Sequence, residues 1–218
     1  MFIVEKKPKS VAAEAYRSLR TNIQYSSFDK EYKTIVVTSS NPGEGKSITA
    51  GNLALTLAEG ESRVLLVDCD MRKPSVHKNF KVTNTHGLSD VLLQKQKVMD
   101  VAHNYKDNLY IITSGKIPPN PAEMLASKAM TLFLDEMKKH FDYIVLDTPP
   151  VHAVADPQIL STKADGTLFV VRAGVTKKDD VQGSISILKK VNANIIGTVL
   201  HAVENSKNKY YYYYGEKE

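Results

Sequence analysis

Long apolar runs, cysteine and arginine are all scarce in this chain, and each scarcity excludes something. No apolar stretch in its 218 residues approaches the ~20 residues a membrane-crossing helix needs. Met1-Phe2-Ile3-Val4 is followed at once by Glu5-Lys6-Lys7-Pro8-Lys9, which is unlike a signal peptide. A soluble, cytoplasmic protein is expected, and any membrane association must come through a partner or a surface patch. The single Cys69 excludes an internal disulfide and fits a reducing compartment. Lying between two aspartates, its side chain is expected to point to the core as a small buried hydrophobe. Of 29 basic residues only Arg17, Arg20, Arg63, Arg72 and Arg172 are arginine. A base-reading protein usually relies on forked guanidinium groups. The lysines behind the formal net charge of +5 read instead as a solvated surface, and no nucleic-acid partner is expected. His77, His86 and His103 are too scattered for a metal site, and no Ser/His/Asp nucleophile arrangement is legible.

What is present is a rhythm of apolar strands and helical stretches. Strands are expected at 34–38, 63–68, 109–113, 142–147, 166–172 and 194–200. Helices are expected near 46–59, 87–93, 121–140, 156–163 and 178–191, after a first helix from Ser10 to about Ser27. This alternation argues for an α/β fold, a mostly parallel sheet with helices on both faces. Residues 1–10 read as an extended arm, because Pro8 bars a helix start before it. One domain is expected over 1–206, with 1–27 as arm and first helix, and 207–218 as a tyrosine-rich tail.

The chemistry begins at Ser40-Asn41-Pro42-Gly43-Glu44-Gly45-Lys46-Ser47, directly after the apolar run Thr34–Thr38. Strand, glycine loop, Gly-Lys-Ser and helix form a phosphate cradle. Gly43 and Gly45 let backbone N–H groups turn inward. Lys46 can reach the β- and γ-phosphates, and the Ser47 hydroxyl suits Mg²⁺. The usual pattern opens with Gly or Ala, where this chain has Ser40.

Two acidic clusters also follow apolar strands, where open α/β sheets bind ligands. Val64–Val67 leads into Asp68-Cys69-Asp70-Met71-Arg72-Lys73-Pro74. Residues two apart on an extended end share a side, so Asp68 and Asp70 can face the phosphates together. One would hold Mg²⁺ and the other would take or orient the acceptor's proton; the blander alternative is a helix cap or a solvated turn. Tyr143–Leu146 leads into Asp147-Thr148-Pro149-Pro150, like the second acidic element of P-loop enzymes.

Both ends of the chain stand out. On the first helix Glu14, Arg17 and Arg20 fall three apart on one face, with Tyr16, Leu19 and Ile23 on another suited to packing. The charged stripe reads either as a solvated face with intrahelical ion pairs or as a subunit contact. At the far end stand Tyr210, Tyr211, Tyr212, Tyr213 and Tyr214, five of the chain's eleven tyrosines. Ten extended residues span up to roughly 35 Å, enough to reach a neighbouring molecule's site. Phosphorylation of all five would add about −8 to −10 charges, more than the whole chain's net charge.

Taken together, Pro-Gly-Glu-Gly-Lys-Ser, Asp-x-Asp-Met-Arg-Lys-Pro, Asp-Thr-Pro-Pro, the Glu-x-x-Arg-x-x-Arg helix, Pro118-Pro119-Asn120-Pro121-Ala122-Glu123 and the terminal tyrosines resemble the bacterial tyrosine kinases of capsule and exopolysaccharide systems. The chain is similar to the cytoplasmic kinase of a Gram-positive split pair, the CapB/CpsD type. The resemblance implies a P-loop NTPase-like fold and transfer of the ATP γ-phosphate, with Mg²⁺, to tail tyrosines of a neighbouring subunit. It implies nucleotide contacts at Pro42, Gly43, Glu44, Gly45, Lys46, Ser47 and Ile48, and metal contacts at Ser47, Asp68 and Asp147. Lys46, Asp68, Asp70 and Asp147 would be catalytic, with the base left open between Asp68 and Asp70. Glu14, Arg17 and Arg20 would form a ring of subunits, typically an octamer. The activating partner would be a separate membrane-spanning modulator, other protein tyrosines would be further substrates, and the output would be control of polysaccharide synthesis or export. One departure is His201, where relatives often place an adenine-contacting Asn. The rival readings are a partitioning or division-type ATPase switch, which typically carries a lysine where this chain has Asn41, and a nucleotide-binding scaffold.

Overall fold

A computed structural model describes residues 2–26 and 31–203. In chain order the elements are α1 (Ile3–Lys6), α2 (Val11–Tyr25), β1 (Thr34–Ser39), α3 (Lys46–Glu59), β2 (Val64–Asp68), α4 (Val76–Phe80), α5 (Leu88–Leu92), α6 (Val98–Val101), β3 (Ala102–Lys106) and β4 (Leu109–Ile112). They continue as α7 (Pro121–Ala126), α8 (Lys128–His140), β5 (Tyr143–Asp147), α9 (Asp156–Ser161), β6 (Gly166–Arg172), α10 (Lys178–Lys190) and β7 (Ile195–His201). Seven strands make one sheet in the order β3-β4-β2-β5-β1-β6-β7. Every pairing is parallel except that of β3 with β4.

The central strands are buried along almost their whole length, with apolar middles, because both faces of the sheet are covered. Ile35 and Val37 of β1 pack with α2 and α3 on one side, while Val36 joins α5, α8 and α9 on the other. Val64 and Leu66 of β2 likewise face one layer, and Leu65 and Val67 the other. Helix α3 is buried from Thr49 through Leu57, since α1 and α2 cover the face it turns away from the sheet. The side chain of Ser10 accepts a hydrogen bond from the Ala13 amide at 3.2 Å and starts α2. Tyr16 and Ile23 of α2 are buried and Leu19 packs beside them, as the spacing requires.

Three expectations change. The first residues are not an extended arm: Ile3–Lys6 is helical, and Phe2 is 1% exposed. Phe2 stacks on Phe80 at 4.3 Å between ring centroids and fills a notch at Gly51, where a Cβ would lie 2.2 Å from its ring. The Val4 amide donates to Asn52 Oδ1, so α1 is pinned along α3, and burial of Phe2 contributes about 2–3 kcal/mol. The helix expected over 121–140 breaks at Ser127, whose backbone is extended and whose hydroxyl oxygen accepts from the Met130 amide to begin α8. A seventh strand, β3, lies at the sheet edge; its alternating, largely polar Ala-His-Asn-Tyr-Lys carried no strand signal. The tail boundary at 206/207 and Tyr210–Tyr214 lie outside the described residues.

Candidate active site

The glycine loop, both acidic clusters and the ends of β6 and β7 converge at the carboxyl edge of the sheet. Strand β1 lies inside the sheet between β5 and β6, and the loop after it ends where Gly45 caps α3. Gly43 and Gly45 have φ of 78° and 95°, the left-handed region that side chains disfavour. Gly45 is doubly constrained, because a Cβ there would meet the His201 ring at 2.3 Å. Burial and the nearby Arg172 hold the His201 pKa below the usual imidazole value, so the ring over the loop is neutral near pH 7.

The loop is braced by partners distant in sequence. Glu44 is buried; its Oε2 accepts from the Asn41 amide at 3.0 Å and its Oε1 from the Thr176 hydroxyl at 2.7 Å. Arg172 Nη1 donates to the Gly43 carbonyl at 2.9 Å. Asn41 Nδ2 donates to Asp180 Oδ2 at 3.1 Å. Arg172, Thr176 and Asp180 carried no assignment in the sequence. Their one available signal was position, since they follow the apolar run of β6 just as the acidic clusters follow theirs.

The acidic residues divide by their hydrogen bonds. Asp68 and Asp147 are register partners on neighbouring strands. Both Asp68 oxygens are occupied: Oδ1 accepts from the Asp70 amide at 3.1 Å, and Oδ2 from the Ser75 and Val76 amides at 3.1 and 3.0 Å. The turn from β2 into α4 is therefore wound around Asp68. Burial and the facing Asp147 nonetheless push the Asp68 pKa well up. Asp70 Oδ1 accepts from the Lys73 amide, while its Oδ2 lies 3.8 Å from Lys46 Nζ. Asp147 is fully buried, and neither of its oxygens has a well-aligned hydrogen-bond partner among the described residues. Burial raises its carboxyl to about 6, with Lys46 and the Ser47 hydroxyl opposing the rise. Cys69 is buried, as its place between the aspartates requires.

An orphaned buried carboxylate beside Ser47 fits a cation that also binds phosphate oxygens. Mg²⁺ is characteristically held by one or two carboxylates together with substrate phosphates, and the Asp147 carboxylate beside the Ser47 hydroxyl fits that pattern. No helix among the described residues is long and apolar enough to cross a membrane.

The charged stripe of α2 lies elsewhere. Arg17 pairs with Glu14 at 3.2 Å and with Glu59 at 3.3 Å, and donates to the Pro8 carbonyl. Arg20 Nη1 donates to the Thr56 carbonyl at 2.7 Å, in the last turns of α3. On α3 these contacts sit about 15–20 Å along the helix from Lys46.

Residues 32–199 match the protein family described as an AAA domain. The chain is 42% identical to the tyrosine-protein kinase YwqD of Bacillus subtilis over 217 residues, which covers 99% of this chain and 92% of that protein. It is 34% identical to the tyrosine-protein kinase CpsD of Streptococcus agalactiae, over 94% of this chain and 90% of that one. Among solved structures, the kinase domain of the Escherichia coli tyrosine kinase ETK superposes with a TM-score of 0.91 at 32% identity, over 98% of this chain and 84% of that one. The Pyrococcus furiosus cell division ATPase MinD, at 24% identity, 77% of this chain, 71% of that one and a TM-score of 0.66, shares the fold.

Proposed function

The chain belongs to the bacterial tyrosine-protein kinases, and we propose that it transfers the γ-phosphoryl group of ATP to the terminal tyrosines of a neighbouring copy. The observation that carries this reading is the buried, unpartnered carboxylate of Asp147 beside Lys46 and Ser47 at the mouth of a phosphate-binding loop. Such a carboxylate makes sense where a cation and phosphates complete its surroundings.

The residues then take separate roles. The inward amides of the loop and the Lys46 ammonium bind and orient the phosphates, which is most of what a loose phosphoryl-transfer transition state asks of a protein. Asp147 and Ser47 would hold Mg²⁺, which when bound supplies charge neutralisation on the phosphate oxygens. Asp68 already accepts from three amides, two on Oδ2 and one on Oδ1, so its main part is to shape the turn and contribute negative charge, in place of the base or metal role the resemblance implies. Asp70 keeps Oδ2 open toward Lys46, which favours it over Asp68 as the base. The acceptor's phenolic oxygen bonds to the γ-phosphorus as the bond to the β-phosphate oxygen breaks. ADP leaves, and Asp70 Oδ2 takes the phenolic proton.

We further infer, from the family resemblance, that Glu14, Arg17 and Arg20 join subunits in a ring, typically of eight. The same resemblance supports activation by a membrane-spanning modulator, recruitment to the inner face of the membrane, phosphorylation of other protein tyrosines, and control of capsular or exopolysaccharide synthesis. Tail phosphorylation, with about −8 to −10 charges per copy, would loosen such a ring.

The test is Lys46→Met incubated with Mg-ATP, followed by intact-mass analysis. The wild type gains phosphate on 207–218; the variant stays folded and gains none. Phosphate released without protein modification in the wild type would instead support an ATPase switch.

A further inference from the structure

Arg72 stands in the turn between β2 and α4, two residues beyond Asp70. It makes the one two-pronged arginine–carboxylate pair among the described residues: Nε to Asp156 Oδ2 at 3.0 Å and Nη2 to Asp156 Oδ1 at 3.2 Å. Asp156 opens α9, the helix after Asp147-Thr148-Pro149-Pro150, and its side chain is completely buried while that of Arg72 is 41% exposed. This is not a surface ion pair of little consequence. A carboxylate buried without a partner is strongly unfavourable, so the fork is held, and the hydrogen bond to Asp156, with the charges of Asp156 and Asp70, outweighs partial desolvation and raises the Arg72 pKa.

We propose that Arg72 and Asp156 form a positioning pair for phosphoryl transfer, fastening the turn that carries Asp70 to the segment that trails Asp147. The proposal deepens the functional reading above and rests on it. The turn from Asp68 to Val76 is closed on its inner side by carboxylates that accept its own amides. On its outer side the fork to Asp156 ties it to the neighbouring acidic segment. The Cys69 amide donates to the Asp147 carbonyl at 2.8 Å and fixes the root of the turn, but nothing at the root sets how far its tip leans over Lys46. Arg72 sets that lean. A lysine replaces it only in part, since a single ammonium does not match both carboxylate oxygens. Displacing a catalytic group by about 1 Å costs on the order of 10²-fold in rate.

The experiment compares the full chain with Arg72→Met, Asp156→Leu, the double variant and Arg72→Lys. Initial rates of tail phosphorylation are followed across an ATP series, with ADP affinity by calorimetry and Tm by scanning. The pair predicts that kcat falls by roughly 10- to 100-fold in Arg72→Met and Asp156→Leu alike, and no further in the double variant, because the two act as a unit. KM for ATP and ADP affinity stay within about threefold, and Arg72→Lys recovers part of the rate. Arg72→Met alone strands a buried carboxylate and loses Tm. The double variant replaces the pair by apolar groups and regains Tm while staying slow. A slow Arg72→Met beside a wild-type Asp156→Leu would overturn the proposal, because Arg72 would then act on substrate directly. Equal losses in ADP affinity and kcat would overturn it as a folding effect, and unchanged kcat would overturn it outright. Asp70→Asn is run alongside: at wild-type rate it refutes the assignment of Asp70 as base, whereas inactive Asp70→Asn with fast Arg72→Met refutes the pair alone.

Discussion

Replacing Asp147 by Asn inverts the usual expectation for a site mutation, stabilising the metal-free protein while destroying its response to Mg²⁺. The Asp147 carboxyl is fully buried and is raised to about 6 from an ordinary value of 3.8. The folded state therefore binds this proton more tightly than the unfolded chain. Its contribution to stability is complete below pH 4 and is lost as pH climbs through 6. A rise from 3.8 to about 6 corresponds to about 3 kcal/mol lost by pH 7.5, since each pKa unit is about 1.36 kcal/mol. Asn carries no charge to desolvate. The gain is at most this amount, because the amide leaves polar atoms buried in the same place.

For a chain of this size 3 kcal/mol moves Tm by about 6–12 °C. Metal-free wild type should lose Tm steadily between pH 4.5 and 7.5, and Asp147→Asn should follow a flatter curve lying above it at pH 7.5. Asp68 adds to the contrast, since the facing Asp147 charge is one cause of its own raised pKa. With ADP and Mg²⁺ at 100 times Kd the wild type gains about 2.7 kcal/mol, whereas the variant gains nothing from the metal. The measurement is calorimetric scanning with EDTA and then with Mg-ADP. A variant less stable than wild type at pH 7.5 without metal, with an unchanged pH slope, would refute the argument.

Other outcomes follow from the same geometry. Gly45→Ala must hold φ near 95° and meet His201 at 2.3 Å, so it should lose about 1–3 kcal/mol and most ADP affinity; adding His201→Ala relieves the contact but not the backbone and should rescue in part, as calorimetry would show. Phe2→Ala empties the notch between Gly51 and Phe80 and should cost about 3–5 kcal/mol by urea unfolding, with ADP affinity retained in the folded fraction. Changing all five of Tyr210–Tyr214 to Phe should abolish phosphate gain in Mg-ATP by mass spectrometry, with ADP binding unaltered.

What the sequence shows depends on how far apart the interacting residues are. Five of the six legible strands lie inside the sheet, largely buried, where Val36 and Val37 must both be apolar although they point opposite ways, and the sixth, β7, is a half-exposed edge strand that still carries its own apolar run. Strand β3 pairs on one side only and needs no such run. Phe2 was misread because its partners are Gly51 and Phe80, and no local pattern announces a notch fifty residues away. The break at Ser127 is local but subtle, a hydroxyl capping the next helix inside an otherwise continuous helical pattern. At the candidate site, Lys46, Ser47, Asp68, Asp70 and Asp147 were singled out because each lies at or just after the end of an apolar strand. Arg172, Thr176, Asp180 and Asp156 were not, because their chemistry exists only through loops that the chain folds against one another.

The charged face of α2 shows how two readings of one spacing can both hold. Arg17 uses Nε on Glu59 and Nη1 on Glu14 and the Pro8 carbonyl, so the intrahelical pair and a tie to α3 coexist. Its Nη2 has no hydrogen-bond partner among the described residues, and Glu14 remains 66% exposed. A guanidinium has five donors in a rigid fork. The inner contacts therefore orient the group rather than exhaust it, and the outer edge stays available for a neighbour's carboxylate. Arg20 is spent differently: its bond to the Thr56 carbonyl satisfies a backbone acceptor near the end of the helix that begins with Lys46. Any neighbour that drew Arg20 outward would leave that carbonyl in want of a donor. The subunit contact proposed for this face thus falls mainly to Glu14 and Arg17, with Arg20 holding α3 in place behind them.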